Sequence, residues 1–342
     1  MNSGYIYQEQ DLLDLSLNIP DRIQLILAGK NVTTVEKVLK TSNIELMSFG
    51  LTDDEVDALK TAVSSIVPSA TYMTALESSS IMAPKWRHLT FGCSALDRIT
   101  RNGLPIRGIT EIVGESGCGK SKAYLLKSKS QICLTLALNV QLSLADGGLN
   151  RSAIYICTED AFPSKRLVQI ASFYEKQYHR TNWLDNIFVE YCPESAVLMN
   201  CICNRLPSFM AQQSIGLIII DSIAGAFRRD SDAIARADNM RKLVFKLQAL
   251  ADDYDCAVVC VNQITASLHD KCIPSLGLAW SNLVSNQFKI RKLQKQITKI
   301  ESTILNTPVT VRSMEIGFSP ELSNQFAEFI ITERGICNVP NN

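Results

Sequence analysis

The segment that decides the fold is residues 109–121, with the sequence ITEIVGESGCGKS. An apolar strand ending at Val113 leads directly into the pattern GxxxxGK[ST], whose glycines let backbone N–H groups face phosphate oxygens. In this pattern Lys120 neutralises phosphate charge, and the Ser121 hydroxyl coordinates Mg²⁺. We therefore predict a nucleotide-binding loop with these residues: Gly114, Glu115, Ser116, Gly117, Cys118, Gly119, Lys120 and Ser121.

Other polar residues follow predicted strands. Asp221 ends the apolar run 217–221 (LIIID), and ligands of open α/β sheets bind at that edge, so we predict that Asp221 supports the Mg²⁺ ion. A strand followed by a capping Asp is the alternative for this motif alone. Glu159 is placed to activate a water molecule for hydrolysis, and Gln263 is placed to sense a γ-phosphate.

The rest of the chain is organised around this motif. Apolar runs predict further strands at 153–157, 187–191, 217–221 and 257–262, and their alternation with helical segments predicts a mostly parallel sheet covered by helices. We predict four parts: a helical N-terminal domain at 1–66, a linker at 67–85, an α/β core at 86–337 and a tail at 338–342. The paired N-terminal helices are typical of packing or protein contact, with a DNA-phosphate contact as the less favoured alternative.

Composition excludes several classes of protein. The 342 residues carry 34 Lys+Arg and 34 Asp+Glu, so the chain does not coat nucleic acid by bulk charge, and any DNA contact is local. Eleven Cys occur without a secretory pattern or a CxxC pair, which predicts reduced thiols and no zinc site. No apolar run is long enough for a membrane span, so we expect a soluble, intracellular protein with no membrane partner.

These residues together resemble the RecA-type recombinase ATPases in their eukaryotic and archaeal form. The resemblance covers nearly the whole chain and runs through 89–97 (LTFGCSALD), the phosphate loop, 155–167 (YICTEDAFPSKRL), the strand that ends at Asp221, and 262–265 (NQIT). It implies a RecA-like P-loop ATPase core, with ATP and Mg²⁺ as cofactors. It also implies these roles: Lys120 and Ser121 bind phosphate and Mg²⁺, Glu159 polarises water, Asp221 supports the metal, Gln263 couples the nucleotide to a DNA-facing loop, and Arg166 lies near the adenine.

The same resemblance implies a function in double-strand break repair by homologous recombination. The protein would be a DNA-dependent ATPase that assists the strand-exchange filament and the processing of recombination intermediates and cross-links. Its partners would be single-stranded or branched DNA, another recombinase paralogue and the strand-exchange recombinase. Its location would be the nucleus, with the cytoplasm and mitochondrion left open. A non-hydrolysing, ATP-bound adaptor and a ring helicase are the alternatives.

Two pairs of residues are candidates for partner and DNA contact. Family members lend an aromatic-x-x-Ala linker segment to a neighbour's sheet, and Tyr72 and Ala75 occupy that place here, with a linker folded onto its own domain as the alternative. Arg228 and Arg229 are the DNA candidates, because two adjacent guanidinium groups can engage phosphates. The sequence supports equally the alternative that these two arginines only form surface ion pairs with Asp230 or Asp232. The densest basic stretch, 289–299, is a further DNA candidate, with a solvated strand edge or hairpin as the slightly favoured alternative.

The segment after Ser121 departs from the family pattern. The family continues at once into an apolar helix, whereas here that helix is predicted to begin at Gln131, which leaves nine extra residues at 122–130. The segment bulges beside the nucleotide site, or the helix is re-phased so that Ala123, Leu125 and Leu126 form its first turns, or the gene model retains non-coding sequence. We favour the last hypothesis, which transcript sequencing tests.

Overall fold

The computed structural model describes residues 19–66, 74–82, 86–115, 128–266, 272–274, 276–300 and 303–340. The chain divides into two compact units, Met1–Pro84 and Lys85–Asn342, and the division falls at the end of the predicted linker. Six of the loop residues named above are therefore described only in sequence, because the structural description resumes at Ser128 after Glu115. Among the described residues, no helix is both long and apolar enough to cross a bilayer.

The N-terminal unit is helical. Its helices are α1 (Asp21–Gly29), α2 (Val35–Lys40), α3 (Asn43–Ser48), α4 (Asp53–Ile66) and α5 (Ala75–Met82). The Thr34 hydroxyl accepts from the Lys37 N–H and caps α2. Thr52 and Glu55 cap the start of α4 reciprocally, which gives that helix its fixed beginning. Buried side chains including Leu27, Val38, Leu46, Val56 and Val63 form a core within this unit.

The larger unit is an α/β domain around one extended sheet. Its strands are β1 (His88–Leu89), β2 (Leu104–Pro105), β3 (Ile109–Glu115), β4 (Ser152–Cys157), β5 (Ile187–Tyr191), β6 (Ile215–Asp221), β7 (Ala257–Ala266), β8 (Cys272–Pro274), β9 (Asn286–Ile300), β10 (Thr303–Phe318), β11 (Phe326–Thr332) and β12 (Gly335–Asn338). The order in the main sheet is β12-β11-β10-β9-β3-β7-β6-β4-β5, with β8 paired to β7. The six central strands from β9 to β5 are parallel, and the strands predicted from apolar runs are among them.

Helices cover both faces of the sheet. They are α6 (Ser94–Ile99), α7 (Ser128–Asn139), α8 (Ser164–Tyr178), α9 (Ser195–Asn200), α10 (Leu206–Met210), α11 (Ile223–Phe227), α12 (Ala233–Tyr254) and α13 (Gly277–Ser281). Side chains of β6 alternate between two cores, because Leu217 and Ile219 pack with α7 and α8 whereas Ile218 and Ile220 pack with α12. A strand buried on both faces needs a continuous apolar run, and β6 has one.

Helix α7 includes the last of the nine extra residues. It begins at Ser128, three residues before the predicted start, and every residue from Lys129 to Asn139 is buried. Three of the nine extra residues, 128–130, therefore form the start of α7, and the other six lie outside the described residues. Ala123, Leu125 and Leu126, which the re-phasing alternative places in the first turns, lie outside the described residues.

The basic stretch 289–299 lies in β9 and not on an outer strand of the sheet. β9 pairs with β3 only from Asn286 to Ile290, whereas its pairing with β10 runs from Gln287 to Ile300. Past Ile290 the described pairing of β9 is with β10, and past Lys292 the two strands form a two-stranded antiparallel arm. This agrees with the alternative of a solvated strand edge or hairpin.

Candidate nucleotide site

The candidate site lies at the carboxyl edge of the parallel strands. The register pairs Gly114 of β3 with Gln263 of β7, and it pairs Asp221 of β6 with Cys157 of β4. Because these strands are neighbours, the residues that end or follow them meet at one edge of the sheet. The structure thus brings together Gly114, Glu159, Asp221 and Gln263, which the sequence places far apart.

Gly114 is the first glycine of the predicted phosphate loop. A Cβ atom at this position would lie 2.7 Å from the backbone oxygen of Ile290, so any larger residue would push β9 away from β3. Glu115 ends β3, and the other predicted loop residues lie outside the described residues: Ser116, Gly117, Cys118, Gly119, Lys120 and Ser121. Their predicted roles in binding phosphate and Mg²⁺ stay predictions.

Asp221 accepts two hydrogen bonds on the same carboxylate oxygen. The Tyr155 hydroxyl donates to Oδ2 at 2.6 Å, and the Ser130 hydroxyl donates to it at 2.7 Å. Burial, reinforced by the Asp221 carboxylate, raises the pKa of Tyr155 well above its usual value, so the phenol stays a neutral donor at physiological pH. Sequence reasoning found Asp221 but missed both donors. A Tyr inside a buried strand was the available signal, because its hydroxyl needs a partner.

The ammonium group of Lys129 lies between two neighbouring strands of the sheet. Its Nζ donates to the backbone oxygens of Gly114 and Asn262, each at 2.6 Å, and the residue is 2% exposed. These carbonyls belong to neighbouring strands, β3 and β7. A buried ammonium group is thereby held within the edge that carries Asp221.

Glu159 is held by a network of short polar contacts. Its Oε1 forms an ion pair with Arg228 Nη1 at 2.6 Å, and its Oε2 accepts from Gln263 Nε2 at 2.6 Å and from the Ser222 hydroxyl at 3.0 Å. Arg228 also donates to the side-chain oxygen of Gln263 at 3.2 Å. The predicted water-activating residue and the predicted nucleotide sensor therefore contact each other directly.

A glycine makes room for this arrangement. A Cβ atom at Gly225, in helix α11, would lie 2.2 Å from Cγ of Glu159 and 2.6 Å from Oγ1 of Thr158. Such approaches do not occur between real atoms, so the close packing of α11 on the loop after β4 requires glycine at this position. Gly225 is thus part of the support of Glu159.

The two DNA candidates are engaged by carboxylates other than those considered from the sequence. Arg228 pairs with Glu159, and Arg229 pairs with Glu194 at 3.3 Å. Asp230 accepts from the Ser195 hydroxyl, whereas Asp232 caps α12 by accepting from the N–H groups of residues 234 and 235. Each arginine therefore forms an ion pair, as the alternative expected, but with Glu159 and Glu194 in place of Asp230 or Asp232. The role of both arginines in DNA binding stays a prediction.

Arg166 lies in the first turn of α8, with its guanidinium group directed at the turn between β11 and β12. It donates to the side chains of Gln131 at 2.9 Å and Gln169 at 2.6 Å, and to the backbone oxygens of Thr332 and Glu333. Burial lowers its pKa from the ordinary value of an arginine. Its predicted proximity to the adenine stays a prediction, and its visible role is to join α7, α8 and the end of the sheet.

The partner-binding segment is only partly described. Tyr72 lies outside the described residues, whereas Ala75 is the first residue of α5. Thr74 and Glu77 form a reciprocal cap at this point, since the Thr74 N–H donates to Glu77 Oε2 at 2.8 Å and the Glu77 N–H donates to Thr74 Oγ1 at 3.2 Å. In the isolated chain Ala75 is helical and not extended. Docking of this segment as an edge strand stays a prediction.

The oxygen donors of this edge fit Mg²⁺. Within the described ranges no group of three or more His, Cys, Asp or Glu side chains forms a metal cluster. Mg²⁺ in nucleotide sites needs only one or two protein oxygens together with phosphates and water, and the Ser130 hydroxyl and the Asp221 carboxylate supply hard oxygen atoms 2.7 Å apart. The donor set therefore suits a magnesium–nucleotide complex better than a zinc ion.

A buried carboxylate behind the site was missed by sequence reasoning. Glu111 of β3 is fully buried and accepts from Asn262 Nδ2 at 2.7 Å, Trp280 Nε1 at 2.8 Å and Gln287 Nε2 at 2.7 Å. It joins β3, β7, β9 and α13 just below the phosphate edge. Its signal in the sequence was a charged residue in the middle of an apolar strand, which demands partners from elsewhere.

A parallel sheet with this polar edge defines a RecA-like domain of the P-loop class. The family model described as Rad51 matches residues 85–339, which is most of the chain. The chain belongs to the Rad51 family. This confirms the fold class and the family resemblance predicted from the sequence.

Curated relatives agree with this assignment. "DNA repair protein XRCC3" of Bos taurus is 30% identical over 353 aligned positions, covering 96% of this chain and 98% of the bovine protein. "DNA repair protein XRCC3 homolog" of Arabidopsis thaliana is 33% identical and covers 75% of this chain and 95% of its own length. "DNA repair protein rhp57" of Schizosaccharomyces pombe is 30% identical and covers 69% of this chain and 76% of its own length.

Proposed function

We propose that this Rad51-family chain is an ATP-binding recombinase paralogue in double-strand break repair by homologous recombination. The observation that carries the proposal is the meeting of Glu159, Gln263 and Asp221 at one edge of the sheet, in contact with each other or with neighbouring hydroxyl groups. The names of the relatives, which describe DNA repair proteins, support the same biological role. Assistance to the strand-exchange filament, processing of recombination intermediates and cross-links, and a nuclear location complete the proposal.

The chemistry proposed is hydrolysis of ATP in the presence of Mg²⁺, which neutralises phosphate charge when bound. Asp221 accepts from the Ser130 hydroxyl at 2.7 Å, and these two oxygen atoms would hold the ion on the protein side. Glu159 accepts a proton from the attacking water, and Gln263 reports to the adjacent loop, since its side chain touches Glu159 directly. In the conformation described, the Glu159 oxygens are occupied by Arg228, Gln263 and Ser222.

The ion pair between Glu159 and Arg228 suggests how DNA would stimulate turnover. The Arg228 side chain is 60% exposed whereas that of Glu159 is 19% exposed, so the guanidinium group is the accessible partner for which a DNA phosphate competes. Transfer of Arg228 to a phosphate removes one partner from Glu159. The carboxylate then has an oxygen available for water, and hydrolysis becomes DNA-dependent.

The test compares two matched ion pairs. ATP turnover of the purified chain, with and without single-stranded DNA, is measured for Glu159→Gln and Arg228→Ala, with Glu194→Gln and Arg229→Ala as controls from the neighbouring pair. Glu159→Gln should lower DNA-stimulated turnover about 10²- to 10⁴-fold, the usual contribution of a general base. Arg228→Ala should raise turnover without DNA and reduce stimulation by DNA. Equal effects of the two pairs would contradict the proposed roles.

The non-hydrolysing adaptor is the second candidate function. It is favoured by the same network, because a carboxylate that accepts three hydrogen bonds or ion pairs is stably held away from water. An adaptor binds ATP with Mg²⁺ but shows no DNA-stimulated hydrolysis in the assay above. In that case Glu159→Gln leaves the slow basal turnover unchanged.

Partner binding is proposed through the linker segment and another recombinase subunit. Strand β5 ends the sheet, and its side chains Val189 and Tyr191 are 46% and 55% exposed, so this edge is open to an added strand. By the resemblance, Tyr72 and Ala75 serve as the corresponding anchors on a neighbouring subunit. Co-purification with candidate paralogues should be lost in Tyr72→Ala and kept in the matched variant Tyr191→Ala if the chain donates the segment and does not receive one.

A further inference from the structure

A second Lys-Ser pair follows the predicted phosphate-binding pair at a distance of nine residues. Lys129 and Ser130 repeat Lys120 and Ser121 in identity and order. Deleting residues 121–129 or residues 122–130 yields the same sequence, GESGCGKSQIC. The motif therefore does not determine which of the two pairs serves the site, and of the two only Lys129 and Ser130 lie among the described residues.

We propose that Lys129 and Ser130, and not Lys120 and Ser121, bind the phosphates and Mg²⁺ of ATP in this chain. The proposal rests on the ATP-binding function proposed above and assigns it to specific residues. Under this proposal, Lys120 and Ser121 match the GxxxxGK[ST] pattern without serving the site. Gly114, near the end of β3, remains the first glycine of the phosphate loop.

The position of Ser130 is the first argument. Its hydroxyl lies 2.7 Å from Oδ2 of Asp221, the acidic residue at the end of β6, and the residue is 6% exposed. Oxygen ligands at neighbouring positions of a magnesium octahedron are about 3 Å apart, so this hydroxyl and carboxylate are spaced to serve one ion directly or through water. Ser130 is thus placed where the motif requires its serine.

The position of Lys129 is the second argument. Its ammonium group bridges the backbone carbonyls of Gly114 in β3 and Asn262 in β7, and Gly114 is the first residue of the predicted phosphate loop. Burying an ammonium group is costly, and these two carbonyls offset this cost while they hold the charge beside the first glycine of that loop. A phosphate at this edge would meet a positive charge that is already in place.

Helix α7 fixes both residues, which is the third argument. The pair lies in the first turn of a 12-residue helix whose later residues are buried against the sheet, so the pair cannot shift without moving the helix. The side chain of the next residue, Gln131, accepts a hydrogen bond from Arg166 of α8, which also holds this turn in place.

A third Lys-Ser pair at 127–128 does not compete for the role. The Ser128 hydroxyl accepts from Nε of Arg312 at 2.8 Å, and Arg312 also donates to the backbone oxygen of Thr310. Ser128 is thereby bound to β10, on the side of the sheet order opposite to Asp221. Among the described serines at the start of α7, Ser130 is the one that contacts the acidic strand end.

The experiment measures equilibrium binding of a fluorescent ATP analogue to the full-length chain, with Mg²⁺ and with EDTA. Lys129→Ala should weaken binding about 10- to 100-fold, whereas Lys120→Ala should change it by less than about threefold. Ser130→Ala should remove most of the difference between Mg²⁺ and EDTA, and Ser121→Ala should preserve it. The opposite pattern, or equal losses from both pairs, would overturn the assignment.

Two further measurements keep the result decisive. Ser130→Ala removes a single hydroxyl, so the serine variants decide the assignment if thermal unfolding shows that Lys129→Ala does not fold. A variant lacking residues 121–129 retains one Lys-Ser pair. It separates the proposed ATP-binding function from the assignment of that function to Lys129 and Ser130. If neither this variant nor the natural chain binds ATP, the proposed function fails. If only the deletion variant binds ATP, Lys129 and Ser130 do not form a site in the natural chain, and the inference is wrong.

Discussion

Glu111 offers the most direct test of how the nucleotide edge is supported. Glu111→Ala removes the carboxylate that accepts from three buried donors, on Asn262, Trp280 and Gln287. Each lost hydrogen bond to a buried donor costs about 1–3 kcal/mol, so with some relaxation the free energy of unfolding should fall by about 3–6 kcal/mol. For a domain of this size about 2 °C is lost per kcal/mol, and the melting temperature should fall by about 6–12 °C.

The assay is thermal unfolding followed by near-ultraviolet circular dichroism, which reports on the buried Trp280. Glu111→Gln should be milder, because its amide oxygen still accepts from Asn262 and Trp280 and the Gln287 amide can rotate to accept from the new N–H. Glu315→Ala is the control, since Glu315 forms only a partly exposed pair with Arg291 at 3.4 Å and should cost at most about 1 kcal/mol. If Glu111→Ala loses no more stability than Glu315→Ala, the network does not support the sheet as described.

Two other predictions follow from single contacts. Gly225→Ala puts a methyl group where Glu159 lies, so DNA-stimulated ATP turnover should fall at least about tenfold while ATP binding is retained; unchanged turnover would show that Glu159 does not depend on this glycine. Burial lowers the pKa of His88 below 6.5, with partial opposition from Glu321. The unfolded chain therefore binds a proton that the native chain lacks, and stability present above pH 6.5 is lost as the pH falls through and below that value. His88→Gln should accordingly show a smaller decrease in urea midpoint between about pH 7.5 and 5.5, and equal decreases would contradict this source of acid sensitivity.

The central part of the fold could be predicted because its signals are local. The apolar runs that end at Val113, Cys157 and Asp221 each have strand length and can only be buried in a covered sheet. The antiparallel extension could not be predicted in the same way. In β9, basic residues from Lys289 to Lys299 mix with scattered apolar ones, and its pairing with β10 depends on a partner strand whose register contains three shifts.

The residues that form the site could largely be predicted from the sequence, whereas the contacts between them could not. Glu159 follows β4, Asp221 ends β6 and Gln263 lies in β7 beside Gly114, and parallel topology brings them to one edge. That Arg228 pairs with Glu159 depends on the path of the chain after β6, which no local pattern encodes. The choice between Lys120 and Lys129 is hidden for a different reason, because the duplicated Lys-Ser pair makes the two alignments equivalent.

The order of strands in the sheet has a consequence for synthesis of the protein. β3 carries the first glycine of the phosphate edge, yet both its neighbours come late, since Ile109 pairs with Val258 of β7 and Thr110 pairs with Asn286 of β9. At about 5–20 residues per second, the ribosome needs roughly 8–30 s to deliver β7 after β3. During that interval a buried-type strand is exposed on the nascent chain without a partner. Holding this strand soluble until β7 emerges is a task for chaperones, and slowed translation between β3 and β7 should lower the soluble yield.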